Sequence, residues 1–254
     1  MSEKLRIDKL LAHAGYGTRS EIKKAIKAKL VEVDGQVVKD SGLIVEPAIS
    51  KVTYRGEAVH YQSVIYIMLN KPQGVISATE DGRERTVLDL LDTQDKLLDP
   101  FPVGRLDKDT TGLLLLTNDG QLAHELLSPK KHVDKTYEAT VLGKVTEQDK
   151  IMFEQGVTLD DGYVTKPAQL NILDYEEQQG ETISRIQVTI TEGKFHQVKR
   201  MFIAVGKKVL TLKRLSMGPL KLDEALELGQ YRMLTAAEVD LLKAHRGIDR
   251  MKSK

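Results

Sequence analysis

The carboxylate of Asp107 lies in the segment of this sequence that is best suited to chemistry. The segment from Gly104 to Gly120 reads GRLDKDTTGLLLLTNDG, a polar loop followed by four leucines. The run Leu113–Leu116, with Thr-Thr-Gly before it and Asn-Asp-Gly after it, predicts a short buried strand with a turn at each end. A loop braced by such a strand can hold a carboxylate still, as a general base or a nucleophile requires. A turn cap is the simpler alternative for this residue.

A second group of candidate residues forms a cationic stretch. Residues 193–222 read GKFHQVKRMFIAVGKKVLTLKRLSMGPLKL and contain eight Lys or Arg but no Asp or Glu. Apolar residues within it have the spacing of one buried helix face: Val198, Met201, Phe202 and Val205. Gly206 would end this helix and leave Lys199 and Arg200 on its flanks. From the residues alone, Lys199 is a phosphate or solvent contact.

The composition limits the kinds of site that the chain can build. It has 254 residues, enough for one large domain or for a small and a medium one, and it has no cysteine. Disulfides, thiolate metal sites and a cysteine nucleophile are therefore excluded, which fits an intracellular protein. The six histidines show no paired metal-ligand spacing, so we expect no metal.

Hydropathy and charge bear on location and partners. The N-terminal Met-Ser-Glu-Lys lacks an apolar signal region, and the apolar runs are far shorter than the ~20 residues of a membrane span. We therefore expect a cytoplasmic protein with no membrane partner. The net charge is only +1, but the binding of a polyanion depends on where the charges lie, and the lysines are clustered.

Residues 1–58 are predicted to form a small domain of two helices and a hairpin. Apolar periodicity predicts the first helix, and Thr18 with Glu21 forms a capping box that starts the second. The segment VEVDGQVV predicts two strands around an Asp34-Gly35 turn. The polar side of the helices is either a solvated face or a surface for phosphate contact. Its basic residues are Arg6, Lys9, Arg19, Lys23, Lys24 and Lys27.

Residues 63–245 are predicted to form a second domain, after a linker over residues 56–63. Strand patterns often follow one another directly, without regular β-α repetition, which favours an α+β fold with a mainly antiparallel mixed sheet flanked by helices. The segment VIYIMLNKPQGVIS predicts a strand, a turn and another strand. Lys71, Pro72 and Gly74 would shape this turn rather than react, because proline fixes φ and glycine permits a close backbone approach.

Four of these segments resemble motifs of known proteins. GRLDKDTTGLLLLTNDG resembles the GRLD motif of the pseudouridine synthases, in the form found in the RsuA-like branch, which includes RluB, RluE and RluF and modifies ribosomal RNA. VIYIMLNKPQGVIS and EGKFHQVKRM are similar to the first and third motifs of that family. RIDKLLAHAGYGTRSEIKKAIKAKLVEVDG resembles the S4-type RNA-binding domain. The resemblance extends from Arg6 to about His245.

The resemblance implies a reaction and roles for particular residues. Pseudouridine synthases are isomerases that need no cofactor, so none is expected here. Asp107 would be the catalytic carboxylate, either as a nucleophile or as a base that removes a sugar proton. Lys199 would face Asp107 and stabilise its charge in a site closed to water, although many family members have arginine there. Tyr137, in a Lys-x-Tyr element, would pack against the target base, and Leu212 or Leu215 would add an apolar wall.

The resemblance also implies an RNA substrate. Arg105 and Arg200, which adjoin the motif residues, are expected to contact RNA together with the basic residues of the first domain. HQVKRMFIAVG is closer to the small-subunit enzymes than to the large-subunit enzymes, which tend to read Arg-x-Arg before Gln-Val-Arg-Arg. We therefore expect uridine 516 of 16S rRNA as the target, with 23S rRNA as the alternative. We also expect a monomer. Naked rRNA and a partly assembled small subunit are both compatible substrates.

Two other classes of function fit parts of the pattern. A noncatalytic ribosome-assembly factor would keep the fold and bind RNA, but intact Asp107, Tyr137 and Lys199 argue against it. A nucleoside hydrolase would need a second carboxylate to act as acid or base. Asp109 and Asp119 are the candidates, and a turn or a helix cap accounts for both.

Overall fold

Two hydrophobic cores organise the part of the chain that the structure, a computed structural model, describes: residues 4–59, 61 and 64–245. The described residues up to Ile65, together with Asp92–Asp99, form one compact unit, and the described residues of 66–91 and from Pro100 onward form the other. The expected bounds, 1–58 and 63–245, put residues 92–99 in the second domain. The structure groups them with the first, because the side chain of Gln94 occupies the space beside Gly15.

The first unit contains three helices and six short strands: β1 (Leu5–Arg6), α1 (Ile7–His13), α2 (Arg19–Lys27), β2 (Val31–Val33), β3 (Gln36–Val37), β4 (Ile44–Val45), β5 (Val52–Tyr54), β6 (Glu57–Ala58) and α3 (Thr93–Lys96). The strands pair in the order β3-β2-β5-β6, and β1 pairs with β4. The predicted capping box of Thr18 and Glu21 is confirmed. The predicted hairpin is confirmed too, with Asp34 at φ 52° and Gly35 at φ 79°.

The predicted linker over residues 56–63 is partly wrong. Glu57–Ala58 is β6, and it pairs antiparallel with β5, so that Thr53 lies opposite Ala58. Arg55 and Gly56, both at positive φ, form the turn of this hairpin. The strand is too short to show a period in the sequence. Residues 60, 62 and 63 of the linker lie outside the described residues.

The second unit is built on a mixed sheet of nine described strands: β7 (Tyr66–Lys71), β8 (Phe101–Pro102), β9 (Thr111–Thr117), β10 (Lys135–Leu142), β11 (Gln169–Gln178), β12 (Glu181–Ile190), β13 (Lys208–Met217), β14 (Leu220–Lys221) and β15 (Tyr231–Met233). The order is β11-β12-β10-β13-β9-β7-β15, with β8 beside β9 and β14 beside β13. Among the described pairs, β9 with β13 is parallel and the others are antiparallel. The predicted α+β fold with a mainly antiparallel sheet is therefore confirmed.

The helices of the second unit are α4 (Gly120–Leu127), α5 (Glu147–Gln155), α6 (Gln197–Ala204) and α7 (Ala236–His245), with 3-10 turns at Val87–Leu90 and Pro129–Lys131. The buried face predicted for α6 is present, except that Val205 follows the last turn and is only half-buried. The strand predicted after Gly74 is reduced to an isolated bridge between Ile76 and Thr86. Over the described ranges, no helix is long and apolar enough to cross a membrane.

The parallel pair brings the two candidate segments together. Leu113–Leu116 is fully buried in β9, as predicted. Gly112 of β9 lies opposite Arg214 of β13. Its φ is +100°, and a Cβ at this position would overlap the carbonyl oxygen of Arg214, so glycine is required for the approach. The loop that carries Asp107 therefore ends directly beside β13.

Glu238, in the first turn of α7, is expected to make the fold sensitive to acid. The guanidinium of Arg232 donates a hydrogen bond of 2.9 Å to each of its carboxylate oxygens, which lowers the pKa of Glu238 to about 2. Because this pKa lies below the unfolded value of 4.5, the pair stabilises the fold above pH 4.5, and that stabilisation is lost as the pH falls toward 2.

Glu238→Gln is therefore expected to lower the free energy of unfolding at neutral pH by about 2 kcal/mol and to flatten its dependence on pH between 4.5 and 2. Urea unfolding at several pH values measures both effects. Glu147→Gln is the control, because Glu147 is exposed in its pair with Lys150 and should contribute less than about 0.5 kcal/mol. Equal effects of the two changes would contradict the prediction.

Candidate active site

The loop that carries Asp107 is held by a buried lysine. Lys71, at the end of β7, is fully buried, and its ammonium donates hydrogen bonds to the carbonyls of Asp107 (3.0 Å) and Thr110 (2.9 Å). Burial lowers the pKa of Lys71 to about 8, against the opposing effect of Asp107 and Asp109. The ammonium is therefore mostly charged at neutral pH. Lys71 therefore has the structural role that the sequence predicted. It holds the loop over residues 107–110 as well as its own turn.

A second side chain, Ser77, fixes the residue before Asp107. Its hydroxyl donates a hydrogen bond to the carbonyl of Leu106 (2.9 Å) and accepts one from the N–H of the same residue (3.0 Å). Both backbone polar groups of Leu106 are thereby satisfied. With Lys71 and Ser77 in place, the position of Asp107 is set by groups outside its own loop.

The carboxylate of Asp107 has a partner near each oxygen. Oδ2 accepts a hydrogen bond from Lys199 Nζ at 2.9 Å, and Oδ1 lies 3.5 Å from His196 Nε2. His196 is the N-cap residue of α6, and Lys199 lies in the first turn of that helix. The side chains of Asp107 and Lys199 are 25% and 20% exposed, so a substrate can reach the carboxylate. The structure thus brings together the two residues that the resemblance paired.

Lys199 is shared with a second carboxylate, because Asp109 Oδ1 accepts a hydrogen bond of 2.6 Å from its ammonium. Burial acts to lower the pKa of Lys199, but the hydrogen bonds to Asp109 and Asp107 outweigh it and raise that pKa above its ordinary value. The bond from Lys199 also lowers the pKa of Asp109. The assignment of Asp109 to a turn alone is therefore wrong. Asp119 caps α4 as predicted, accepting from the N–H of Leu122 at 2.9 Å.

Asp107 opens into a cleft of about 280 Å³ between the loop before β9 and the residues of β10, β12 and β13. Tyr137 and Leu212 line the cleft, and each is 7% exposed. Among the described residues that line it, Leu212 is present and Leu215 is not, which decides between the two leucines. Tyr137 therefore shares the cleft with Asp107, as the resemblance implied. The walls offer apolar surface on which a flat ring can pack.

Several charged residues of the inner wall were not expected from the sequence. Arg214 is 2% exposed, and its Nε donates to the carbonyl of Leu113 at 2.7 Å. Burial, and then the charge of Arg214, lowers the pKa of Lys135 to about 8. Glu192 is 6% exposed and accepts from Tyr163 Oη at 2.7 Å. Arg214 and Lys135 occupy ordinary strand positions and Glu192 follows the end of β12, so the sequence did not distinguish them as site residues.

The six basic residues expected to contact RNA in the first unit differ in their surroundings. Four are exposed side chains of α2: Arg19, Lys23, Lys24 and Lys27. Lys9 is half-buried on α1. Arg6 donates two hydrogen bonds to the carboxylate of Asp8, at 3.0 and 2.8 Å, so its charge is balanced within the unit.

The two arginines expected to contact RNA in the second unit also differ. Arg105 is exposed and lines the cleft. Arg200 forms ion pairs with Asp160 and Asp161, and its guanidinium donates to the carbonyl of Phe195. Arg200 therefore ties α6 to the loop that contains Asp160 and Asp161. The sequence did not predict this role, because the two aspartates lie far from Arg200 in the chain.

His196, next to the carboxylate itself, was also not expected from the sequence. It precedes Lys199 by three positions, and residues three apart at a helix start lie on the same side. A helix beginning at Gln197 would therefore have placed both next to Asp107. The spacing of His196 and Lys199 in HQVK could have predicted this position, but only once Lys199 was known to contact Asp107.

Comparison with known proteins identifies the family. Residues 65–204 match the family model of RNA pseudouridylate synthases, and residues 5–48 match that of the S4 domain. The chain belongs to the RNA pseudouridine synthase family, carries an S4 domain near its N-terminus, and is an isomerase.

The similar proteins narrow the family to its RsuA-type branch, as predicted. The uncharacterised RNA pseudouridine synthase YtzG of Bacillus subtilis is 54% identical, over 94% of this chain and 98% of that protein. The ribosomal small subunit pseudouridine synthase A of Haemophilus influenzae is 40% identical, over 94% and 99%. The ribosomal large subunit pseudouridine synthase B of Bacillus subtilis is also 40% identical, over 94% and 96%. A crystal structure of a pseudouridylate synthase, 39% identical, aligns over 94% and 99% with a TM-score of 0.64.

Proposed function

We propose that this protein isomerises uridine 516 of 16S rRNA to pseudouridine, in the cytoplasm, as a monomer acting on a partly assembled small subunit. The observation that carries the proposal is the Asp107–Lys199 pair in a cleft lined by Tyr137. The small-subunit target rests on the sequence HQVKRMFIAVG and on the small-subunit relatives. A large-subunit relative of equal identity makes 23S rRNA the alternative target.

One carboxylate is sufficient for the reaction that we propose. Isomerisation breaks the bond between N1 of uracil and C1′ of ribose, turns the base, and joins C5 to C1′. A proton leaves C5 and N1 gains one, so no oxidant or reductant is needed. Asp107 acts either as a nucleophile or as a base that removes a sugar proton. Lys199 and His196 orient it in both cases.

The remaining cleft residues protect the intermediate. Once the base and the sugar have separated, water that reached the sugar would leave an abasic site. Tyr137 and Leu212, both nearly buried, present apolar surface that limits the access of water. Extruding the uridine costs a few kcal/mol of stacking and pairing, which contacts between cationic side chains and phosphates offset.

The exposed lysines of α2 are expected to supply part of those contacts. Each phosphate contact releases counterions, so its loss should reduce the salt dependence of RNA binding. The double change Lys23→Gln with Lys27→Gln should weaken binding of rRNA by about tenfold at 0.1 M salt and reduce the slope of log K against log[salt] by about 1.5. The maximal rate should not change. Filter binding at several salt concentrations measures both quantities.

The matched control removes two exposed lysines elsewhere in the first unit, Lys39 and Lys51. If the control weakens binding and flattens the slope as much as the double change on α2, the helix is not the anchor. A loss of maximal rate in the α2 variant would also contradict the prediction.

The proposed function is tested by incubating the purified protein with unmodified 16S and 23S transcripts, with and without small-subunit proteins. New pseudouridines are mapped by carbodiimide treatment and primer extension. A single stop at uridine 516 supports the proposal. A stop in 23S rRNA alone would show that the reaction is assigned correctly but the target is not. The absence of any stop would overturn the assignment of rRNA as substrate.

A further inference from the structure

Phe195 presents an aromatic ring to solvent next to the candidate active site. The residue is 70% exposed, although phenylalanine is usually buried. Its ring stacks on the imidazole of His196, with the centroids 3.8 Å apart and the planes 18° from parallel. Single exposed apolar residues are common in proteins, so the location and rigidity of this ring pair decide whether it has a role.

The ring pair lies beside the carboxylate that is placed for the reaction. His196 lines the cleft, and its Nε2 is 3.5 Å from Oδ1 of Asp107. The stacked imidazole therefore connects the carboxylate with the more exposed ring of Phe195. A uridine seated against Asp107 brings the adjoining part of the RNA chain next to this ring pair.

The ring pair is also held in a fixed conformation. His196 adopts φ 48° and ψ 33°, in the left-handed region that residues other than glycine rarely adopt. The buried side chain of Gln197 donates to Glu192 Oε1 at 2.8 Å and accepts from the N–H of Lys194 at 2.8 Å. These bonds fix the backbone of residues 192–197, so the two rings lose little conformational entropy when a ligand binds.

The surroundings suit a nucleobase as the ligand. Lys194 directly precedes the ring pair, and its ammonium lies 4.5 Å from the ring centroid of Tyr163, another cleft residue. Positive charge beside an open aromatic face is the combination that binds unpaired nucleotides, with the cation near phosphates and the ring against a base. Extruding a uridine also removes a stacking partner from its neighbour.

We propose that the Phe195–His196 ring pair is a stacking platform for the nucleobase adjacent to the extruded uridine. The inference rests on the proposed function, since it requires a pseudouridine synthase that opens an RNA chain. The platform replaces the stacking that the neighbouring base loses, and it thereby contributes to substrate binding. Phe195 is a positioning residue, because it touches the RNA next to the reacting nucleotide and not the reacting atoms.

The test compares Phe195→Leu, which removes the ring but keeps an apolar side chain, with Phe195→Tyr, which keeps the ring. Stacking on aromatic side chains corresponds to about 5- to 150-fold in affinity per base. We expect Phe195→Leu to raise KM for the transcript that the wild-type protein modifies by that factor, with the maximal rate changed less than about threefold. Phe195→Tyr should stay within about twofold of wild type.

The control is Ile203→Ala, because Ile203 is an exposed apolar residue of α6, 63% exposed, that does not line the described cleft. It should leave KM unchanged. The proposal is overturned if Phe195→Leu keeps the wild-type KM, if Phe195→Tyr is as impaired as Phe195→Leu, or if the loss appears only when small-subunit proteins are present, which would indicate a protein contact. A wild-type protein inactive on all RNAs would instead overturn the proposed function.

A spectroscopic readout separates stacking from a general structural role. RNA with 2-aminopurine next to the target uridine should fluoresce weakly when bound to the wild-type protein, because a stacked base is quenched, and more strongly with Phe195→Leu. Thermal unfolding should not differ between the two proteins. Equal fluorescence with either protein would contradict the platform.

Discussion

Replacing Asp107 with asparagine is expected to lower the rate of pseudouridine formation by at least about 10⁴-fold, the size of loss that follows removal of a nucleophile or an essential base. Asparagine keeps the shape of the side chain but neither attacks carbon nor accepts a proton at neutral pH. RNA affinity should change by less than about twofold, because a carboxylate does not attract phosphates and Asp107 is already paired with Lys199. Release of tritium from RNA labelled at C5 of uridine measures the rate, and filter binding measures the affinity.

Asp109→Asn is the matched control for this experiment. Asp109 contacts the same ammonium as Asp107 but is 68% exposed, and asparagine can still accept a hydrogen bond from Lys199. We expect a loss of about tenfold or less. If Asp107→Asn retained more than a hundredth of the wild-type rate, or if both variants lost activity equally, Asp107 would not be the reacting carboxylate.

The second large effect is expected from Lys71→Met, which keeps an unbranched side chain one atom shorter but removes its donors. The carbonyls of Asp107 and Thr110 would lose the hydrogen bonds that this ammonium donates, and the Asp107 carbonyl would keep only the one from the N–H of Thr110. The free energy of unfolding should fall by about 3–5 kcal/mol. The folded fraction should also react about 10- to 100-fold more slowly, because the carboxylate is displaced. Urea unfolding and single-turnover rates at 25 °C measure these two effects.

Lys108→Met provides the comparison for Lys71→Met. Lys108 lies in the same loop, but its ammonium forms an exposed pair with Glu84 at 2.6 Å. Exposed pairs contribute less than about 1 kcal/mol, and the change should affect the rate little. Similar losses in the two variants would show that the loop is stabilised by its total charge and not by the hydrogen bonds of buried Lys71.

The features predicted correctly from the sequence are local ones. The capping box at Thr18, the Asp34-Gly35 turn and the buried run Leu113–Leu116 each depend on residues close together in the chain, so periodicity and turn chemistry are enough to reveal them. The overall α+β class followed in the same way, from the succession of strand patterns.

The features that local patterns did not reveal depend on contacts distant in sequence. Lys71 reaches the carbonyl of Asp107 across 36 positions, and Lys199 reaches its carboxylate across 92. No local pattern encodes such contacts, and the second pair was anticipated only through the family resemblance. Residues 92–99, which group with the first unit, and Arg200, paired with Asp160, were missed for the same reason.

The position of Lys199 between two carboxylates has a consequence for the course of the reaction. In the proposed reaction Asp107 either forms a bond to the substrate or takes a proton from it, so its negative charge disappears for part of each turnover. A lysine with a single partner would then be left as an uncompensated cation in a closed cleft. Asp109 retains its charge throughout and keeps Lys199 in place. Lys199 therefore keeps an anionic partner until the charge of Asp107 is restored.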